Sequence, residues 1–211
     1  MTDLFAASGA EELGPGMFLW RSALDAGSYL RSIGDVAQRA PFRHMLTPGG
    51  RRMSVAMTNC GALGWVSDAR GYRYADTDPD SGQAWPPMPE RWRLEAVRLA
   101  AGSGFDGFLP DACLINRYAI GARMTAHQDR NEHDYSQPIV SLSLGLPASF
   151  AFHGLARSGR PRRVRLESGD ALVWGGPARL YFHGVQPVGP GHDLLCGPFR
   201  YNITFRRAGP A

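Results

Sequence analysis

The sequence predicts a mainly β fold with flanking α-helices: a jelly-roll (double-stranded β-helix) core with an N-terminal helical and lid insertion. Three observations predict it. From about Asp111 onward, short alternating segments recur between Gly, Pro and Asp turns. No helix-length pattern interrupts them, which favours a sandwich or barrel over an alternating α/β sheet. Helical periodicity is confined to two earlier stretches. A chain of 211 residues, 44% of them hydrophobic, suits one domain spanning 1–211 with a sizeable buried core.

In chain order, a first helix is predicted over 23–40, where Leu24, Ile33, Val36 and Ala37 recur at roughly helical spacing; Pro41 stops it. Met53–Thr58 and Tyr72–Tyr74 read as strands of an insertion, within a lid region over 43–85. A second helix, Glu90–Ala101, follows the Pro-rich Trp85–Pro89, and Glu90 suits the positive end of its dipole. The core, 111–207, is expected to hold strands at Cys113–Tyr118, Ile139–Leu144, Ser149–His153, Val164–Glu167, Ala171–Trp174, Leu180–His183 and Tyr201–Arg206. There is no internal repeat and no low-complexity segment.

Composition excludes some classes. No apolar run is long enough to span a bilayer, so no membrane partner is expected. Met1–Phe18 lacks the basic-then-apolar pattern of a secretory signal. Cys60, Cys113 and Cys196 are odd in number and far apart, which fits neither a disulfide framework nor a zinc knuckle and agrees with a reducing cytoplasm. The net charge of +4 permits a polyanionic partner without demanding one. All 23 basic residues are arginine. Genomic codon bias explains that; the planar guanidinium fork also suits phosphate and carboxylate.

His127-Gln128-Asp129 places two potential metal ligands two residues apart. In an extended segment such residues point the same way, so both reach one ion. His183, in Tyr181-Phe182-His183-Gly184, is a third candidate. Two histidines and a carboxylate match the facial triad of non-haem iron(II), which leaves three coordination positions open. Zinc accepts the same ligands, and a His-x-Asp with a distant histidine is by itself weak evidence.

Arg200-Tyr201-Asn202-Ile203-Thr204-Phe205-Arg206 raises the odds. Period two puts Arg200, Asn202, Thr204 and Arg206 on one face and Tyr201, Ile203 and Phe205 on the other. One reading is a surface strand with its arginines in water. The other turns the polar face into a barrel interior, where arginines clamp a dicarboxylic acid such as 2-oxoglutarate. Asn116 and Tyr118 form a second polar pair on one strand face. A cosubstrate chelating iron through its keto-acid end fills two open positions, and O2 takes the last.

These segments resemble the AlkB family of nucleic-acid dioxygenases. The match runs from Pro41 to Arg207 through Thr47-Pro48-Gly49-Gly50, Met53–Gly61, Leu114–Tyr118, His127-Gln128-Asp129, Val173–Gly176, Tyr181–Gly184 and the Arg-x-Asn-x-Thr-x-Arg strand. The resemblance implies iron(II) on His127, Asp129 and His183, and 2-oxoglutarate with its far carboxylate on Arg200. Arg206 would lie near the keto-acid end, with Asn116, Tyr118 and Asn202 adding hydrogen bonds. It also implies that Trp65 stacks on the target base and Tyr72 contacts phosphate. Thr47 and Met53 would form part of the lid, and Arg157 would reach the substrate edge. The activity implied is oxidative demethylation of bases such as 1-methyladenine and 3-methylcytosine, with release of formaldehyde, in methylated single-stranded DNA or RNA or in flipped-out duplex. Nothing demands more than a monomer.

One departure matters. Asn131 stands where the best-known bacterial members carry an aspartate facing the base. Asparagine keeps hydrogen bonding but loses the charge, so weaker turnover of cationic bases, or a shift towards neutral ones, is expected. The rivals are a hydroxylase of proteins or small molecules, a non-catalytic nucleic-acid-binding jelly roll, and a zinc-bound structural domain. The arginines at Arg51, Arg52 and across Arg157–Arg165 read either as phosphate contacts or as solvated faces.

Overall fold

The computed structural model describes residues 9–210; the Met1–Ser8 part of the signal-peptide reading lies outside them. The chain opens with a hairpin, β1 (Glu11–Gly14) and β2 (Met17–Trp20), followed by α1 (Gly27–Arg39). Then come β3 (Ala56–Gly61), a small hairpin of β4 (Gly64–Asp68) and β5 (Gly71–Ala75), and α2 (Glu90–Gly102). The remaining strands are β6 (Ala112–Ala119), β7 (Met124–His127), β8 (Ile139–Gly145), β9 (Ala148–Gly154) and β10 (Arg162–Leu166). After them follow β11 (Ala171–Trp174), β12 (Phe182–Val185) and β13 (Phe199–Arg206).

A seven-stranded sheet runs β1-β2-β11-β8-β13-β6-β3, and a four-stranded sheet runs β10-β9-β12-β7; β4 and β5 pair alone. Alternation builds two apolar layers. Ala171 and Val173 face one way with Cys113, Ile115, Ile203 and Phe205, packing against Tyr29, Ile33 and Val36 of α1 and Trp92, Ala96 and Leu99 of α2. Leu172 and Trp174 face the other way with Leu114 and Tyr118, meeting Phe150, Phe152, Val164 and Val185 of the smaller sheet. Tyr29 and Trp92 stack at 5.7 Å to join the helices. Cys60, Cys113 and Cys196 are all free and buried.

Several expectations need correction. The first helix starts at Gly27, not 23. Leu24 N–H bonds to the Gly169 carbonyl at 3.1 Å, and the Asp25 carboxylate accepts Gly27 N–H at 3.2 Å, so this stretch is a docked turn. The strand expected from Met53 starts at Ala56 and lies beside β6 in the larger sheet, so it belongs to the main sheet and not to a separate insertion. The strand expected over Leu180–His183 begins at Phe182, because Gly176–Ala178 forms a 3-10 turn and Tyr181 N–H closes back on the Ala178 carbonyl at 2.9 Å. β10 starts and ends one or two residues earlier than expected. The β1–β2 hairpin, β4 and β7 have no counterpart among the expected strands.

Candidate active site

A cavity of about 940 Å³ lies between the two sheets and opens past the β4–β5 hairpin. Every candidate site residue borders it.

His127 ends β7, and His183 pairs with it in register from β12. The strands approach closely because Gly184 has no side chain: a Cβ there would stand 2.6 Å from the Met124 carbonyl oxygen. His127 Nδ1 faces the Thr125 carbonyl at 3.0 Å, and His183 Nδ1 faces that of Tyr181 at 2.9 Å. A carbonyl only accepts, so each Nδ1 carries a proton, and in the neutral imidazole that leaves the lone pair on Nε2. Both Nε2 atoms point at Asp129, at 3.5 Å from His127 to Oδ1 and 3.6 Å from His183 to Oδ2. The three ligand atoms lie within 4.8 Å of one another, and among the described residues no other His, Cys, Asp or Glu group converges this way.

Asp129 does not arrive by strand alternation, since β7 stops at His127. The loop after β7 carries it, and Arg206 holds its Oδ2 from Nη2 at 2.8 Å. Burial opposes ionisation of Asp129, but the Arg206 charge together with the His127 and His183 contacts outweighs it and holds the carboxyl well below the usual range. Burial, with the neighbouring His127, pushes His183 down to about 4. A neutral imidazole and an ionised carboxylate are the forms a metal takes.

The other end of the cavity holds a cation without an anion. Arg200 is 1% exposed. Its Nη2 donates to Ser143 Oγ at 2.9 Å and Nη1 reaches the Leu146 carbonyl at 3.4 Å, while Nε has no partner among the described residues. Burial lowers its affinity for the proton, and among the described residues no carboxylate is paired with it. A buried guanidinium with an orphaned donor is a place for an incoming carboxylate. Between Arg200 and Arg206, Asn116 Nδ2 donates to Asn202 Oδ1 at 3.2 Å, Asn202 Nδ2 donates to Ser141 Oγ at 2.6 Å, and buried Asn116 Oδ1 is unpartnered. Tyr118 is 1% exposed, and burial pushes its phenol up to about 12, so it stays a neutral donor.

At the mouth, Trp65 and Tyr72 stack at 5.6 Å and 14°. Asn131 Oδ1 accepts from Trp65 Nε1 at 3.3 Å, and its Nδ2 reaches the Tyr72 carbonyl at 3.5 Å. Thr47 Oγ1 accepts the Arg51 N–H at 3.1 Å, closing a tight turn, and half-buried Met53 packs on the inner layer. Arg157 lies over the Phe182 ring at 5.5 Å and donates to the Ala126 carbonyl.

A profile of the 2OG-Fe(II) oxygenase superfamily matches residues 16–206. The chain is 52% identical to the alpha-ketoglutarate-dependent dioxygenase AlkB of Salmonella typhimurium strain LT2, over 99% of this chain and 98% of that protein. It is 51% identical to the protein of the same name in Escherichia coli strain K12, over 99% of each. The chain belongs to the AlkB family. A solved structure titled "The structure of OsALKBH1" superposes with a TM-score of 0.83 at 28% identity, covering 94% of this chain and 99% of that one.

This AlkB-family protein is therefore an Fe(II)- and 2-oxoglutarate-dependent dioxygenase using O2, with the jelly-roll architecture of its class. Its donor set and the unmatched Arg200 fit that pair of cofactors. Sequence reasoning missed four groups that shape this AlkB-type site. Ser143 props Arg200, and Ser141 props Asn202. Glu132 and Arg179, both buried, form an ion pair at 3.1 Å beneath the loop that carries Asp129. Ser141 and Ser143 were findable as the polar positions of an otherwise apolar strand. Glu132 and Arg179 have no local signal.

Proposed function

We propose that this dioxygenase removes alkyl groups from N-alkylated nucleobases, of the 1-methyladenine and 3-methylcytosine type, in single-stranded or flipped-out DNA or RNA. One observation carries the reading. The cavity mouth is a stacked aromatic pair ringed by Arg51, Arg52, Arg123, Arg130 and Arg157, and among the described residues none of these five is in an ion pair. Aromatic faces take an unstacked base, and unpaired guanidinium groups take flanking phosphates. An oxygenase of free metabolites or of protein side chains has no use for both. The relatives agree: a mouse protein 35% identical over 64% of this chain is named nucleic acid dioxygenase ALKBH1, and an Arabidopsis protein 31% identical over 76% is named DNA N(6)-methyladenine demethylase.

The residues divide the work. His127, Asp129 and His183 hold iron(II), their Nδ1 protons and the Arg206 contact fixing which lone pairs face inward. Arg200 would take the far carboxylate of 2-oxoglutarate, Asn116, Tyr118 and Asn202 would offer it hydrogen bonds, and Arg206 would serve its keto-acid end. Bound there, iron(II) and 2-oxoglutarate would supply the oxidising chemistry, with O2 consumed and the cosubstrate leaving as succinate and CO2, that turns an N-methyl group into an N-hydroxymethyl group, which loses formaldehyde to leave the repaired base. Trp65 and His127 flank the base, Tyr72 and Arg157 contact the strand, and Thr47 and Met53 form part of the lid. The site excludes other oxidisable groups by placing one carbon near the metal. Asn131 supplies a neutral neighbour to the base, so turnover of these cationic lesions is expected to be weaker than with an aspartate there, or the range to extend towards neutral ones.

The test is a single turnover. Enzyme loaded anaerobically with iron(II) and 2-oxoglutarate is mixed with O2 and a methylated single strand, and the products are weighed. Loss of one methylene from the oligonucleotide with matching formaldehyde is expected. An unchanged oligonucleotide alongside a hydroxylated peptide or metabolite overturns the reading.

A further inference from the structure

We propose that Arg179 is a positioning residue for the metal centre, a staple that sets the spacing between Asp129 and His183; the inference rests on reading His127, Asp129 and His183 as the iron ligands. Arg179 follows the 3-10 turn Gly176–Ala178, four residues before His183, and is 2% exposed. It is neither one of the three clustered ligands nor a lining residue of the cavity.

Its guanidinium gathers the loop that carries Asp129 from within. Nη1 donates to the Asp129 carbonyl at 2.8 Å, Nε to the Gln137 carbonyl at 3.0 Å, and Nη2 to Glu132 Oε2 at 3.1 Å. The Tyr135 ring covers it at 5.4 Å. A second stitch runs the opposite way: Gln128 Nε2 donates to the Leu180 carbonyl at 2.7 Å. Residues 128 and 129 are thus tied to 180 and 179 by adjacent, oppositely directed bonds, the first segment carrying His127 and Asp129 and the second leading to His183.

The staple extends beyond the metal. Glu132 Oε1 accepts Tyr74 O–H at 2.6 Å and faces Arg206 Nε at 3.4 Å. Arg206 in turn holds Asp129 Oδ2. Arg179 therefore acts through the Asp129 backbone and through Glu132, and reaches the β5 wall of the mouth as well. Three acceptors spread around one side chain need the rigid fork of arginine; a lysine ammonium keeps the charge opposite Glu132 but cannot span the rest.

The readout is cobalt(II) affinity, followed by the absorbance of the bound ion, on the full chain. Parent, Arg179→Lys, and Arg179→Ala with and without methylguanidinium are titrated, with a thermal melt of each. Arg179→Lys is expected to melt as a folded protein yet bind cobalt about 10–100-fold more weakly, as loss of a group that orients metal ligands does. Methylguanidinium is expected to restore part of the affinity to Arg179→Ala. If Arg179→Lys binds within about twofold of the parent, the staple is refuted while the ligand assignment stands. A lower melting temperature with unchanged cobalt affinity refutes it equally, since that is a merely structural role. A parent chain that binds no cobalt overturns the ligand assignment and the staple together.

Discussion

Arg200 is the residue whose environment says most about its task. A guanidinium this deeply buried, with Nε unpartnered among the described residues and only a serine and a carbonyl as hydrogen-bond partners, is unfavourable until an anion arrives. Arg200→Lys keeps the charge and loses the fork. The KM for 2-oxoglutarate is expected to rise at least about tenfold, equivalent to ~1.4 kcal/mol, while kcat at saturating cosubstrate changes far less. Succinate production against 2-oxoglutarate concentration measures this, and an unaltered KM removes Arg200 from the cosubstrate site. Asn131 can be tested in the same spirit. It bridges the Trp65 indole and the Tyr72 backbone with a neutral amide. Asn131→Asp retains the acceptor for Trp65 and adds a negative charge beside the base. The ratio of rates on 1-methyladenine over a neutral alkylated base should climb about two- to fivefold, the ~0.5–1 kcal/mol of a partly exposed charge pair. A constant ratio in a competition assay discards the charge argument.

Strand β12 shows how an element turns sequence into a ligand position. Its only way to bring His183 opposite His127 is the bare Cα of Gly184, with the Met124 backbone against it. Gly184→Ala forces the two strands apart. About 1–3 kcal/mol of stability is expected to be lost, as overpacking does, together with metal affinity, read by melting and by cobalt titration of one preparation. Full cobalt affinity in that variant means the strand gap does not set the site. Much at this scale was legible beforehand. The alternation of 200–206 identified a strand with one polar face, and burial of Arg200 and Arg206 rejects the solvent-facing alternative, because β13 is central and covered on both sides. The β1–β2 hairpin was illegible, since two four-residue strands acquire their meaning only by pairing with distant β11. Glu132 and Arg179 were illegible for the same reason: they lie 47 residues apart, and no local period connects them. The slip at Leu180 came from two aromatic residues, Tyr181 and Phe182, that read as strand although the first still belongs to the turn.

At the scale of the molecule, charge is arranged rather than merely present. The net charge of +4 is modest, but the acidic side chains pair with other arginines than those of the mouth. Arg43 is matched by Asp78 and Asp80, Arg73 by Asp68, and Arg93 by Glu90, whereas among the described residues the five mouth arginines are unmatched. Binding of a single-stranded oligonucleotide should therefore fall with salt. Neutralising about three to five phosphates gives a slope of log affinity on log salt near −2 to −3.5. Fluorescence anisotropy across sodium chloride concentrations measures it, and a slope near zero argues against a phosphate-binding rim. Among the described residues no helix is long and apolar enough to cross a membrane.

The seven-stranded sheet has a further consequence. It is a party wall between two rooms, helices on one side and chemistry on the other. Alternate residues of a single strand answer to different tenants: Ile203 and Phe205 to endurance under heat, Arg200 and Arg206 to turnover. A selection for thermotolerance can therefore redecorate the helix-side room, and the oxidative machinery next door would barely register the change.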